Sequence, residues 1–186
     1  ELPCSQYTVT APAPGASIVY VVAAMVDPGA SLREVSIGID YDGRDRSVGY
    51  TGQPFGISPQ FTQANLCANG LPFLDDNGFG VWPNPKSGLH ITWQQCQTSV
   101  IGGSVHAVIG ALYVYAYSED VLRITPNTAY DRNHPELRIV DCQGKSTDLL
   151  PLYPPQLWNS LTGRVHFGGD GSQGFNPCAV LPVIPS

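Results

Sequence analysis

Residues Val105 to Thr125, VHAVIGALYVYAYSEDVLRIT, constrain the fold of this chain more than any other stretch. From Val105 to Tyr117 the run is almost wholly apolar, rich in β-branched and aromatic residues, and uncharged when His106 is neutral. Such residues suit a pleated, packed surface. The run falls short of the roughly 20 apolar residues that a membrane-spanning helix needs. Gly102-Gly103-Ser104 precedes it and Ser118-Glu119-Asp120 follows it, so turn signals bound it on both sides. A buried helix of that length is equally apolar, but Tyr113, Val114, Tyr115 and Tyr117 favour strand. Val121 to Thr125 (VLRIT) then alternates as a half-exposed strand does. The pattern predicts a long central strand that turns back through Ser-Glu-Asp into a partner strand.

The rest of the chain reads the same way. Twenty glycines and seventeen prolines cut it into short pieces, which favours strands and turns over helices. Strands are predicted at Tyr7 to Thr10 and at Ser17 to Val26, with a turn at Asp27-Pro-Gly-Ala30. Leu32 to Asp42 alternates, with Val35, Ile37, Ile39 and Tyr41 on the buried face. Glu34, Ser36, Gly38 and Asp40 fall on the other face. Asp42 to Gln63 gives a weaker signal, with a short strand near Ser47 to Thr51. Leu66 to Pro85 is irregular, and a loop of that length is functional or pinned. Gly88 to Gln94, Glu136 to Cys142 and Gly163 to Phe167 read as further strands, and Pro151 to Leu161 as one short helical turn. Roughly eight to ten short strands at this spacing predict an all-β fold, an antiparallel β-sandwich. Residues 1–186 fit one such domain.

The segment Ile18 to Asp42 (IVYVVAAMVDPGASLREVSIGIDYD) is similar to the opening of cohesin-like sandwich modules in secreted bacterial proteins. There a first strand, a short loop and a strand ending near Asp-Tyr-Asp recur. The chain also resembles small exported bacterial proteins of unassigned activity that carry a YVYAYS hairpin and a late GFNPC. The resemblance implies an immunoglobulin-like or cohesin-like sandwich, with a jelly-roll as the alternative, and a role in binding partner modules.

Charged residues make up 13% of the chain, against about 25% in an ordinary soluble domain. Lysine occurs only at Lys86 and Lys145, and the net charge is −6. Without a basic cluster, nucleic acid and anionic membranes are poor partners. Cys4, Cys67, Cys96, Cys142 and Cys178 show no close Cys-x-x-Cys spacing, so disulfides are a better reading than zinc. Disulfides imply an oxidising, extracellular or cell-surface location. Glu1-Leu-Pro-Cys4 is then expected to follow removal of a signal peptide. Proximity along the chain favours Cys67–Cys96 and Cys142–Cys178 among fifteen arrangements. Cys4 is the leftover, as a buried thiol or a link to another subunit.

Few constellations point to chemistry. Asp40, Asp42 and Asp45 offer oxygen ligands for calcium, although Thr51 stands where an EF-hand needs a glutamate. A strand end followed by a solvated turn explains the same residues, and no other cofactor is expected. His90, His106, His134 and His166 are far apart, and each reads as a surface or a satisfied core histidine unless folding converges them. Nucleophile elbow, phosphate loop and dinucleotide fingerprint patterns are absent from the sequence. Phe73, Phe79 and Trp82 are candidate binding aromatics in the long loop, and Tyr113, Tyr115 and Tyr117 share one sheet face.

Three functions compete. The first is a non-enzymatic, self-assembling structural protein of a filament, sheath or surface layer, whose partners are copies of itself. Scarce lysine, a guard residue of strand edges, motivates it. The second is an extracellular carbohydrate- or protein-binding module, and the third a hydrolase with an unidentified carboxylate pair.

Overall fold

A computed structural model gives the fold of residues 6–25, 31–42, 56–64, 70–74, 82–83, 85, 87–98, 100–101, 104–128, 135–148 and 162–180. The strands are β1 (Thr10–Ala11), β2 (Gly15–Met25), β3 (Leu32–Asp40), β4 (Ile57–Ala64), β5 (Gly70–Leu74) and β6 (Gly88–Gln97). They continue with β7 (Val100–Ile101), β8 (Ser104–Ala116), β9 (Asp120–Thr125), β10 (Arg138–Val140), β11 (Ser146–Asp148) and β12 (Arg164–Phe167). Among the described residues there is no α-helix, and a 3-10 turn covers Pro177–Val180. None of their helices is long and apolar enough to cross a membrane. The expected helical turn at Pro151 to Leu161 and the strand at Ser47 to Thr51 lie outside the described residues.

β8 is the spine of the smaller sheet. It pairs antiparallel with β2 along one edge and with β4 along the other, and β7 folds back onto its start. Its period of two does what the sequence pattern requires: Leu112, Val114 and Ala116 are fully buried while Tyr113 and Tyr115 face out. The larger sheet is centred on β3. One edge of β3 pairs with β6, which in turn pairs with β5. The opposite edge is shared, with β10 along Glu34 to Ser36 and β9 along Gly38 to Asp40. The larger sheet therefore forks, with β11 beyond β10, and β12 and a parallel β1 beyond β9.

The inner faces of both sheets supply one core. Val19, Val21, Ile109, Leu112 and Val114 from the smaller sheet join Val35, Ile37, Ile39, Leu89, Ile91, Trp93 and Phe167 from the larger. Leu112, Val114, Ile37, Ile39, Ile91 and Trp93 are all buried in it.

The expected hairpin through Ser118 and Glu119 does not form. β8 and β9 belong to different sheets, and the chain crosses between them. Hydrogen bonds hold the crossing: Gly56 O accepts the Tyr117 N–H at 2.8 Å, Ser118 Oγ accepts the Gly56 N–H at 2.8 Å, and the buried Asp120 carboxylate accepts the N–H groups of Val121 and Asp42. β4 and β5 fall where the sequence signal was weak or loop-like. Each carries a proline, Pro59 or Pro72, and each lies at a sheet edge, where a missing N–H is tolerated.

The outer face of β3 also differs from expectation, because Ser36 and Gly38 are buried. Gly38 pairs directly with Gly88, and the absent side chains leave room for Pro126-Asn127. Asn127 Nδ2 donates to Ser36 Oγ at 3.1 Å there. A Cβ on residue 88 would overlap the Asn127 side chain. Gly88→Ala is therefore expected to lower stability by about 1–3 kcal/mol through overpacking. A thermal melt checks this, and an unchanged midpoint would contradict the placement of Asn127.

The disulfide arrangement corrects both expected pairs. Cys96 is bonded to Cys142, with a Cα–Cα distance of 5.8 Å and a sequence separation of 46. The bond excludes Cys67–Cys96 and Cys142–Cys178 together. Proximity along the chain misled because β3 brings its two neighbours to the same end: Gln97 pairs with Leu32 on one edge and Val140 with Glu34 on the other. Cys4 and Cys67 lie outside the described residues, and of Cys178 only the backbone, in the 3-10 turn, is described.

Candidate functional site

Of the acidic candidates, Asp40 ends β3 and Asp42 follows it. Asp40 is half-buried and paired in register with Arg123, Asp42 is exposed, and Asp45 lies outside the described residues. Among the described residues no group of three histidine, cysteine or acidic side chains gathers. Of the aromatic candidates, Trp82 is buried in the core, so its ring is packing rather than exposed platform. Phe73 lies on β5, with only its backbone described, and Phe79 lies outside the described residues.

Of the four histidines, His134 lies outside the described residues and His106 has only its backbone described, while His90 and His166 each sit beside a glutamate. His90 Nε2 lies 3.5 Å from Glu34 Oε2. His166 is fully buried, and its Nε2 sits 2.9 Å from Oε1 of the exposed Glu119. Its Nδ1 accepts the Gln173 N–H at 3.4 Å, which leaves the proton on Nε2 to be donated to Glu119. Gly168, Gly169 and Gly171 all have positive φ, and a Cβ on residue 169 would press on both Glu119 and His166. Ser172 donates to Asp170, which holds that exposed carboxyl below the usual range. The glycine-rich segment is thus a tight turn fastened to a core histidine.

What the fold leaves open lies on β2. Natural sheets blunt their edges with short strands, prolines, bulges or charges. β1 and β11 have two and three residues, and β5 carries Pro72. β4 carries Pro59 and an extra residue, Thr62, where its register with β8 shifts. β2 has none of these devices. It runs eleven residues, GASIVYVVAAM, with no charge and no proline, and the extra residue at its own register shift, Ile109, belongs to β8. Among the described residues its only strand partner is β8.

Both faces of this edge are apolar. Val19 and Val21 turn into the core, while Ile18 and Tyr20 are 60% and 57% exposed. Ile18 pairs with Tyr113, and Tyr115 and Tyr117 continue the outer face with ring centroids 4.9 Å apart. Beside the edge lies a cleft of about 320 Å³, walled by Val19 to Ala24 of β2, by Ile37 of β3, and by Leu122, Ile124, Ile139 and Val165 from the two arms of the fork. Arg138 and Arg164 also line it. Arg138 has Glu136 at 3.7 Å. Among the described residues Arg164 meets no carboxylate; it lies 5.3 Å over the Phe175 ring, with Nε buried and without a hydrogen bond.

Comparison of the chain with known proteins finds no matching family model, no matching curated protein and no matching solved structure.

Proposed function

We propose that the chain is a non-enzymatic, secreted β-sandwich domain that assembles with copies of itself through the edge of β2. A filament, sheath or surface layer outside the cell is the product of that assembly. One observation carries this reading: β2 is long, uncharged and unguarded, whereas the other sheet edges among the described residues are short or carry a proline. Unpaired backbone groups along such an edge accept another strand, and the exposed Ile18 and Tyr20 add apolar area to the contact. The Cys96–Cys142 bond fits an oxidising compartment. The likeness of residues 18–42 to cohesin-like modules, which bind partner modules, supports the same reading.

Placing lysine at Ile18 and Tyr20 tests it. Both side chains are exposed, so folding stability is expected to change little, by about 0.5 kcal/mol per site. Sedimentation of the parent protein at micromolar concentration is expected to show dimers or larger species, and the Ile18→Lys/Tyr20→Lys variant a monomer with a similar melting temperature. A parent protein that stays monomeric removes the proposal.

The outer tyrosines favour a second reading, a glycan-binding face. Tyr113, Tyr115 and Tyr117 present adjacent rings on one sheet face, an arrangement on which sugar rings stack. Retention on immobilised polysaccharide, lost on Tyr115→Ala, distinguishes this from self-assembly.

A further inference from the structure

We propose that the cleft beside β2 takes an extended peptide segment, added as a further strand of the smaller sheet, apolar on its inward face and bearing one carboxylate that reaches Arg164. This rests on the reading of β2 as an association edge and specifies what the edge accepts.

Three observations lead to it. Six consecutive residues of β2, Val19 to Ala24, line the cleft. Successive side chains of a strand point to opposite faces, so a wall of consecutive residues is the backbone edge itself. An alkyl chain in that position would leave backbone N–H and C=O groups unpaired, whereas a strand pairs them. Next, the fork in the larger sheet opens opposite this edge and lines the cleft with Leu122, Ile124, Ile139 and Val165, the apolar wall against which alternate side chains of an added strand would pack. Finally, the two cations of the cleft differ. Arg138 is neutralised by Glu136, while Arg164 has no acidic partner among the described residues and a buried Nε without an acceptor. Arg164 lines the cleft, and a carboxylate brought by the occupant would pair with the part of its guanidinium that the cleft reaches.

The same charge argument sets the geometry of assembly. β2 contains no acidic residue, so two copies pairing β2 against β2 would bring nothing to Arg164. The occupant is a different segment from the edge it meets. Such a contact is head-to-tail, and head-to-tail contacts that do not close build filaments.

The test uses short labelled synthetic peptides of alternating valine and threonine, with a single glutamate moved along the series, and fluorescence polarisation against the full chain. The best member is expected to bind saturably and to lose about tenfold in affinity or more on glutamate to glutamine exchange. The protein variant Arg164→Met is expected to reproduce that loss, while Arg33→Met, at an exposed position of β3 outside the cleft lining, leaves binding within about twofold. Backbone N-methylation of the peptide should abolish binding, a control on the ligand that does not depend on how the variants fold. Binding indifferent to both the glutamate and Arg164 overturns the proposal, as does saturable binding of dodecanoate with none of any peptide. Absence of peptide binding in a protein that still self-associates through β2 sinks this inference and leaves the assembly reading standing; loss of both sinks both.

Discussion

Val114→Asp is expected to leave the chain without a cooperative unfolding transition. Val114 is fully buried near the end of β8, between Ser17 of β2 and Pro59 of β4. An unpaired carboxylate there costs several kcal/mol, and whole domains hold only about 5–15 kcal/mol. The neighbouring Tyr115→Asp is the matched control. Tyr115 projects from the opposite face of the same strand and is exposed, so the charge is solvated and the expected change is about 0.5 kcal/mol. Circular dichroism melts of the two variants decide the register. If the second variant unfolds and the first does not, β8 is offset by one residue and every face assignment in the smaller sheet inverts.

Removing the Cys96–Cys142 bond is the other change with a large expected effect. The bridge closes a loop of 46 residues, and in the chain-entropy treatment a loop of that length contributes about 4 kcal/mol. For a chain of this size that corresponds to a fall of roughly 8–16 °C in melting temperature for Cys96→Ala/Cys142→Ala. Reductant should lower the melting temperature of the parent protein by a similar amount. Peptide mapping without reduction should return a Cys96–Cys142 cross-link; a Cys67–Cys96 cross-link would contradict the way β6 and β10 flank β3.

The residues that announced their structure were those whose pattern is local. Alternation through Leu32 to Asp42 and Gly88 to Gln94, and the apolar run of β8, follow from the two-residue period of a strand with one side in the core. β4 and β5 were obscured by Pro59 and Pro72, which mark an edge only once the sheet is known. The crossing at Ser118-Glu119 was misread for a related reason: a tight polar turn looks alike whether the next strand pairs back or enters another sheet. Burial of Ser36 and Gly38 depends on Asn127, which is distant in the chain and meets them only through the Gly38–Gly88 pair. The disulfide was illegible because β3, a strand without cysteine, sets it.

The same division holds for the candidate site. That Gly15 to Met25 carries neither charge nor proline is plain in the sequence, but only the strand order makes it an edge. Ile18 and Tyr20 resemble any half of an apolar strand, and their exposure shows only once the fold is known, with no further layer among the described residues over that face. Nothing in the neighbourhood of Arg164 distinguishes it from the other arginines. Its significance comes from the fork that places it in the cleft and from the carboxylate it lacks among the described residues.

Amide hydrogen exchange along Gly15 to Met25, followed at low and high protein concentration, tests the central claim most directly. In a strand, alternate N–H groups point to opposite edges, so those directed at β8 are protected at any concentration. Assembly through β2 predicts that the N–H groups on the other edge exchange fast in dilute protein and slow markedly as concentration rises, with no comparable change in β9 or β12. Exchange along β2 that is independent of concentration, in protein that nonetheless associates, would contradict it.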